Sequence, residues 1–355
     1  MKDICILEHT SESYAEEIFG RLGKGKEHAR LIYQEWFQSG KITGEHPHFN
    51  NAKDLFKAIV ALTDFSYLPL AEKGQEGATQ KYLLQTDDNL EIEMVLLPMR
   101  AGITLCLSSQ VGCRMGCAFC ETGKMGLLRS LSTREIISQF FQAKHALKVD
   151  VRNVVFMGMG EPLDNYEAVM RAIKVLTDPY GFGLGASHIT LSTSGLVDKI
   201  YRLIDEADPA ICLAVSINAP SDAIRNRLMP VNKHFDMQAL KDAMEAYTRH
   251  PRRRILIEYV LIRGKTDGLA DADALALYLQ GLKVTVNLIP YNPQSRGVFE
   301  PPEQSTTDAF LKRMKNHGYL TFVRGTKGQR IMAACGQLGN QQLRKSKKTL
   351  VFSLK

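Results

Sequence analysis

The chain has 355 residues, 45% of them hydrophobic, and 45 Lys and Arg stand against 38 Asp and Glu for a formal charge of +7. That length supports a large core plus a smaller unit, and no uncharged apolar run approaches the roughly 20 residues of a membrane span. The chain has seven cysteines, and its start (residues 1–7) runs straight into Glu8 and His9 rather than into a secretory leader. The expectation is therefore a cytoplasmic protein with metal or redox chemistry, not a disulfide scaffold.

Residues 1–75 read as a small helical accessory domain, with amphipathic segments at 13–22, 29–38 and 52–62 broken by Gly20, Gly23, Gly25, Gly40 and Pro47. Lys24, Lys26, His28, Arg30 and Lys41 suit either phosphate contacts or a solvated helix face. At 81–97 the apolar period drops to two around the turn Asp87-Asp88-Asn89, which predicts a β-hairpin within a linking segment, 76–100. A strand at 103–108 then leads into a cysteine-rich loop. Beyond it, strands at 151–157, 188–192, 211–217, 255–262, 284–289 and 319–323 alternate with helices at 132–147, 166–177, 197–207, 237–248, 272–279 and 306–316. Such βα repetition predicts a parallel sheet, open or curled into a full or partial barrel, with function at the C-terminal strand ends. The predicted catalytic domain is 101–340, followed by a basic tail, 341–355, that holds Arg344, Lys345, Lys347 and Lys348.

Cys113, Cys117 and Cys120 form a C-x3-C-x2-C run with Phe119 before the last thiol. Three thiolates at this spacing can hold three irons of a [4Fe–4S] cube and leave the fourth iron open. A zinc site is the alternative, with His145 or Cys106 as a fourth ligand. Cys5 and Cys212 have the bland settings of packing residues.

This run resembles the radical S-adenosylmethionine superfamily. So does Gly158-Met159-Gly160-Glu161-Pro162 after the predicted strand, a glycine-bent turn that offers carbonyls and one carboxylate to an ammonium group. Four further stretches resemble the RlmN/Cfr family of RNA adenosine methyltransferases: residues 105–113, 191–195, 287–293 and Ala333-Ala334-Cys335-Gly336-Gln337-Leu338. The resemblance covers essentially the whole chain. It implies an α/β fold, a partial (β/α) barrel of the radical S-adenosylmethionine type, a [4Fe–4S] cluster on Cys113, Cys117 and Cys120, and S-adenosylmethionine as second cofactor.

The resemblance also implies roles for two distant cysteines. Cys335 would take a methyl group by polar displacement and, after hydrogen abstraction, deliver it to C2 or C8 of adenine. Cys106 would release the product by attacking the Cys335 sulfur, leaving a Cys106–Cys335 disulfide. Glu93 aligns with the proton acceptor, although Glu91 and Glu93 share one face of a strand and could both face solvent. The S-adenosylmethionine contacts carry over as Gly160, Glu161, Ser192, Ser216, Ile217, Asn218 and Asn292. Asn218 replaces the family's usual histidine, and Glu121 and Met125 also depart from the pattern.

The implied partners are RNA, ribosomal first and transfer RNA second, and a flavodoxin-type electron donor. Arg225, Arg227, Lys233, Arg252, Arg253, Arg254, Lys327, Arg330 and the tail cations are candidate phosphate contacts. Two rival readings are a radical enzyme of another substrate and a zinc-stabilised RNA-binding protein without catalysis.

Overall fold

A computed structural model of the chain describes residues 3–294 and 297–339; the basic cluster at 344–348 lies outside them. Helix α1 (Ser11–Leu22) starts at Thr10, whose hydroxyl accepts from the Ser13 amide at 3.2 Å, while Ser13 Oγ accepts from the Thr10 amide at 3.0 Å. It ends at Gly23, whose left-handed backbone (φ 68°) suits a residue without Cβ. Helices α2 (Lys26–Ser39) and α3 (Lys53–Leu62) follow.

These helices do not close a core of their own. Trp36 stacks on Phe141 at 4.9 Å between centroids, and Phe37 meets Phe182 edge-on at 4.9 Å. The Ser11 amide donates to Asp178 Oδ2 at 2.6 Å. One apolar cluster therefore runs from the N-terminal helices into the sheet's own helices. Two of the expected phosphate-binding cations are already paired here: Lys26 with Glu16, and Arg30 with Glu12 and Glu27.

Ten strands form one sheet: β1 (Leu70–Glu76), β2 (Thr79–Gln85), β3 (Glu91–Met99), β4 (Gly102–Cys106), β5 (Val151–Phe156), β6 (Ile189–Thr193), β7 (Cys212–Ser216), β8 (Arg254–Leu261), β9 (Val284–Pro290) and β10 (Leu320–Val323). They lie in chain order across the sheet. The first three ladders are antiparallel, and β4 through β10 run parallel. Crossovers are made by α4 (Thr133–Phe141), α5 (Tyr166–Thr177), α6 (Val197–Glu206), α7 (Met237–Thr248), α8 (Leu269–Tyr278) and α9 (Gln304–Asn316). The expected alternation is present, with α5 and α7 at the predicted residues. β1 is an addition to the expected hairpin: its Glu72, Lys73, Gln75 and Glu76 give no apolar alternation, because it is a largely exposed edge.

Leu97 and Thr104 from one side of the sheet and Phe322 and Arg324 from the other line a single cavity, so the sheet is curled into a partial barrel. No ladder joins β10 to β1. Instead the chain after β10 crosses the gap as a strap: Lys327 Nζ donates to the Pro98 carbonyl, and the Arg330 amide donates to Glu76 Oε2 at 2.6 Å. Among the described residues no helix is long and apolar enough to cross a membrane.

Candidate active site

β4 delivers Cys106 at its C-terminal end, and the next residues are held against the turn that follows β5. The Ser108 hydroxyl donates to the Glu93 carbonyl at 2.6 Å and accepts from the Met159 amide at 2.9 Å. A Cβ on Gly160 (φ 108°) would sit 2.7 Å from the Gln110 amide nitrogen, so only glycine fits where the two segments touch. The cysteine loop continues from there. The Ala118 amide donates to the Leu228 carbonyl at 2.9 Å, and the Glu121 amide to the Gly336 carbonyl at 2.7 Å.

Cys113, Cys117 and Cys120 line a cavity of about 160 Å³ whose other wall includes Gly160, Glu161, Ser192 and Ser216. Burial raises the pKa of all three thiols. Among the described residues no three His, Cys, Asp or Glu side chains are grouped as for a single metal ion. The Glu161 carboxylate is fixed by the Ser194 amide at 2.7 Å and the Leu163 amide at 3.2 Å; burial raises its pKa and these bonds oppose the rise.

Asn292 also lines this cavity. Its Nδ2 donates to the Cys335 carbonyl at 3.1 Å, and its buried Oδ1 has no partner.

Two expected cofactor contacts fall differently. Ile217 is fully buried in the main apolar core and is not on the cavity wall. Asn218 is on the wall, but its Oδ1 accepts from the Val260 amide at 2.9 Å and its Nδ2 lies 3.3 Å from Met229 Sδ. Its oxygen and one amide hydrogen are thus engaged inside the protein, and its left-handed backbone (φ 56°) is one that asparagine tolerates. The possible zinc ligand His145 is elsewhere, its ring tilted against Phe141 at 4.4 Å between centroids and its Nε2 3.2 Å from the Phe37 carbonyl. Cys5 and Cys212 are also outside the site, in β-structure and half-buried.

A second cavity, of about 540 Å³, lies along the inner face of the barrel and is lined by Cys106 and Cys335 among others. Cys335 lines both cavities. Burial, with the neighbouring Cys335, pushes the Cys106 thiol up to about 12, and Arg324 opposes the shift. Arg324 lines both cavities too, and its own pKa is raised, first by Cys335 and then by Glu258 and Cys106.

Glu93 faces inward and is only 3% exposed, which removes the solvent-facing alternative. Its Oε1 is 3.4 Å from Lys81 Nζ, and its Oε2 accepts from the Gly339 amide at 3.2 Å. Burial raises its pKa, while Lys81 and the Gly339 amide lower it. Lys81, Arg324 and Glu258 were missed from the sequence. Glu258 did leave a signal, as one carboxylate in the apolar run Ile255-Leu256-Ile257-Glu258-Tyr259-Val260.

Two expected phosphate contacts are interior residues. Arg225 is fully buried and donates to the carbonyls of Ile217 (3.1 Å), Ser194 (2.6 Å) and Ser216 (2.9 Å) and to Asn232 Oδ1 (2.7 Å). It ties the strand ends together behind the first cavity. Buried Arg253 donates to the Leu203 and Ile204 carbonyls at the end of α6. Their guanidinium groups are occupied by the fold.

Residues 107–276 match the radical SAM superfamily. Three thiols on one loop, beside a glycine turn at the C-terminal ends of parallel strands in a partial barrel, define an enzyme of that class. A radical SAM methyltransferase from Sphaerobacter thermophilus superposes with a TM-score of 0.86 at 36% identity, covering 94% of this chain and 98% of that one. A probable dual-specificity RNA methyltransferase RlmN 1 from Protochlamydia amoebophila is 54% identical over 352 residues, 99% of this chain and 98% of that protein. A dual-specificity RNA methyltransferase RlmN from Bdellovibrio bacteriovorus is 39% identical over 321 residues, covering 89% and 79%. The chain belongs to the RlmN family.

A [4Fe–4S] cluster and S-adenosylmethionine are the cofactors of this family. The residues present fit them. Three clustered thiols suit three irons, and the orphaned Oδ1 of Asn292 leaves a buried polar atom awaiting a polar ligand.

Proposed function

We propose that this enzyme methylates a carbon of adenosine, C2 or C8, in RNA, with ribosomal RNA the first substrate to test and transfer RNA the second. Cys113, Cys117 and Cys120 hold the cluster; Gly160, Glu161, Ser192, Ser216 and Asn292 hold S-adenosylmethionine. When bound, this pair supplies a methyl group and a 5′-deoxyadenosyl radical. A flavodoxin-type protein is the expected electron donor.

The observation that carries the reading is the position of Cys335 on the shared wall of the two cavities. On the side of the three cysteines its thiolate accepts a methyl group as a thioether. On the side of Cys106 it presents that carbon to the base. Cys106 then attacks the Cys335 sulfur: a sulfur–sulfur bond forms, the sulfur–carbon bond breaks with its electron pair going to the carbon, and that carbon takes a proton and stays on the base as the methyl group. Glu93, clamped beside the Cys335 loop by Lys81 and the Gly339 amide, is the candidate acceptor for the displaced proton.

An adenosine inside folded RNA must be extruded to reach this cavity, at a cost of a few kcal/mol. The exposed Lys24, Lys41, Arg227, Lys233, Arg254 and Arg330 are among the cations left for phosphates, and Arg252 is exposed but lies 3.7 Å from Asp208. The N-terminal helices of segment 1–75, which end at Leu62 before β1 begins at Leu70, are proposed as an accessory RNA-binding domain packed on the catalytic one.

The test is anaerobic reconstitution with iron, sulfide and zinc analysis, followed by intact-protein mass spectrometry and nucleoside analysis of treated RNA. About four irons per chain, one methyl group on Cys335 and methyladenosine in RNA are expected. Cys335→Ala should bind iron normally and methylate nothing. Stoichiometric zinc without iron, or normal RNA methylation by Cys335→Ala, would refute the assignment.

A further inference from the structure

Glu258 sits on β8 with its side chain on the inner face of the barrel, lining both cavities close to where they meet at Cys335. It is 4% exposed. Its Oε2 accepts from Asn287 Nδ2 at 2.9 Å, and Asn287 belongs to the larger cavity alone. Its Oε1 is buried with no partner. A buried carboxyl oxygen without a hydrogen bond is costly, so the group is incomplete until something fills the space beside it.

We propose that Glu258 is the residue that reads the base, donating a hydrogen bond from Oε1 to a ring nitrogen of the adenine held in the larger cavity. This rests on the methyltransferase reading above and names the contact through which that site recognises its substrate. Asn287 is a positioning residue: by donating to Oε2 it leaves Oε1 as the oxygen turned to the base, which donates when the carboxyl is protonated. Burial raises the pKa of Glu258 and so favours the protonated group; Arg324 and Asn287 oppose the shift in part. Cys335, Cys106 and Glu258 line the same cavity, and the base is the reactant joined to Cys335 when Cys106 attacks. Adenine offers an unprotonated ring nitrogen on every edge to a protonated Oε1, whereas an ionised Oε1 would find only its single amino group. A donor at Oε1 also draws electron density from the carbon next to that nitrogen.

The test separates the two half-reactions in the reconstituted enzyme, with ribosomal RNA transcribed in vitro as probe. Methyl loading of Cys335 needs no base and is read by mass spectrometry without RNA; methyladenosine is read after RNA is added. Glu258→Gln keeps an N–H donor and should retain RNA methylation within about tenfold. Glu258→Leu cannot donate. It should load Cys335 as the wild type does and methylate RNA at least a hundredfold more slowly. Asn287→Leu, which leaves the carboxyl in place but unsteered, should load normally and lose at least tenfold, and it carries the test if Glu258→Leu does not fold.

Wild-type RNA methylation by Glu258→Leu or Asn287→Leu would overturn the proposal. So would failure of Glu258→Leu already at methyl loading, which would make Glu258 a cofactor ligand, and so would Glu258→Gln falling as far as leucine. A wild-type enzyme that never acquires a methyl group on Cys335 would instead sink the methyltransferase mechanism itself.

Discussion

Asn292 Nδ2 donates to the main-chain carbonyl of Cys335 across 3.1 Å, which joins the end of β9 to the loop that carries the central thiol. The loop has other anchors, among them the Glu121 amide on the Gly336 carbonyl and Gln337 Nε2 on the Pro293 carbonyl at 2.7 Å. Removing one of several should loosen it without unfolding it. Asn292→Ala is expected to cost about 1 kcal/mol locally, seen as roughly fivefold faster amide exchange across 333–338, with slower methyl loading of Cys335. Unchanged exchange in that segment would mean that the bond does not hold the loop.

Cys106 must be a thiolate to attack sulfur, yet burial pushes its pKa up to about 12. With the pKa raised, the thiolate fraction climbs about tenfold per pH unit through the whole range from 7 to 9. Release of the protein–RNA adduct, followed on denaturing gels after a pH jump, should climb by the same factor. Cys106→Ala should accumulate the adduct at every pH. A plateau below pH 9 would show that the thiol is less shielded than its surroundings imply.

Lys81 and Glu93 form an ion pair whose side chains are only 16% and 4% exposed. Lys81 lowers the Glu93 pKa against the effect of burial, so Lys81→Met lets that pKa rise further. In the variant the folded state then favours the protonated carboxyl, and stability falls as pH climbs through its titration. The expected loss is about 2 kcal/mol at pH 8, below the fully buried range because Lys81 keeps some exposure, and clearly less at pH 5. Chemical denaturation at the two pH values measures it. The alkaline shift should also appear in the pH profile of RNA methylation if Glu93 takes the proton; a deficit equal at both pH values would contradict the pairing.

Much of the fold was legible because each parallel strand is a short apolar run between turn residues, and the helices α5 and α7 carry a clear 3.6-residue period. β1 was not, because an edge strand with little buried face leaves no alternation to read. The cysteine loop was legible from spacing alone. The meeting of Cys106 with Cys335 was reached through family resemblance, since nothing local to either residue encodes a contact across 229 positions of chain. The misplacement of Arg225 and Arg253 has the opposite cause. Charge in a predicted loop reads as solvent-facing, and only the fold supplies the carbonyls that draw a guanidinium inside.

The ring of strands is closed by a strap rather than by a ladder: Lys327 on the Pro98 carbonyl and the Arg330 amide on Glu76 are side chain to main chain bonds at exposed positions. A ladder can part only by breaking a cooperative row of bonds, whereas the strap contacts, with the Gly339 amide on Glu93 and Lys81 on the Met332 carbonyl beside them, are separate bonds that can break one by one. The barrel is therefore dilatable along one seam. Loosening at this seam leaves every strand that carries a site residue paired with its neighbours.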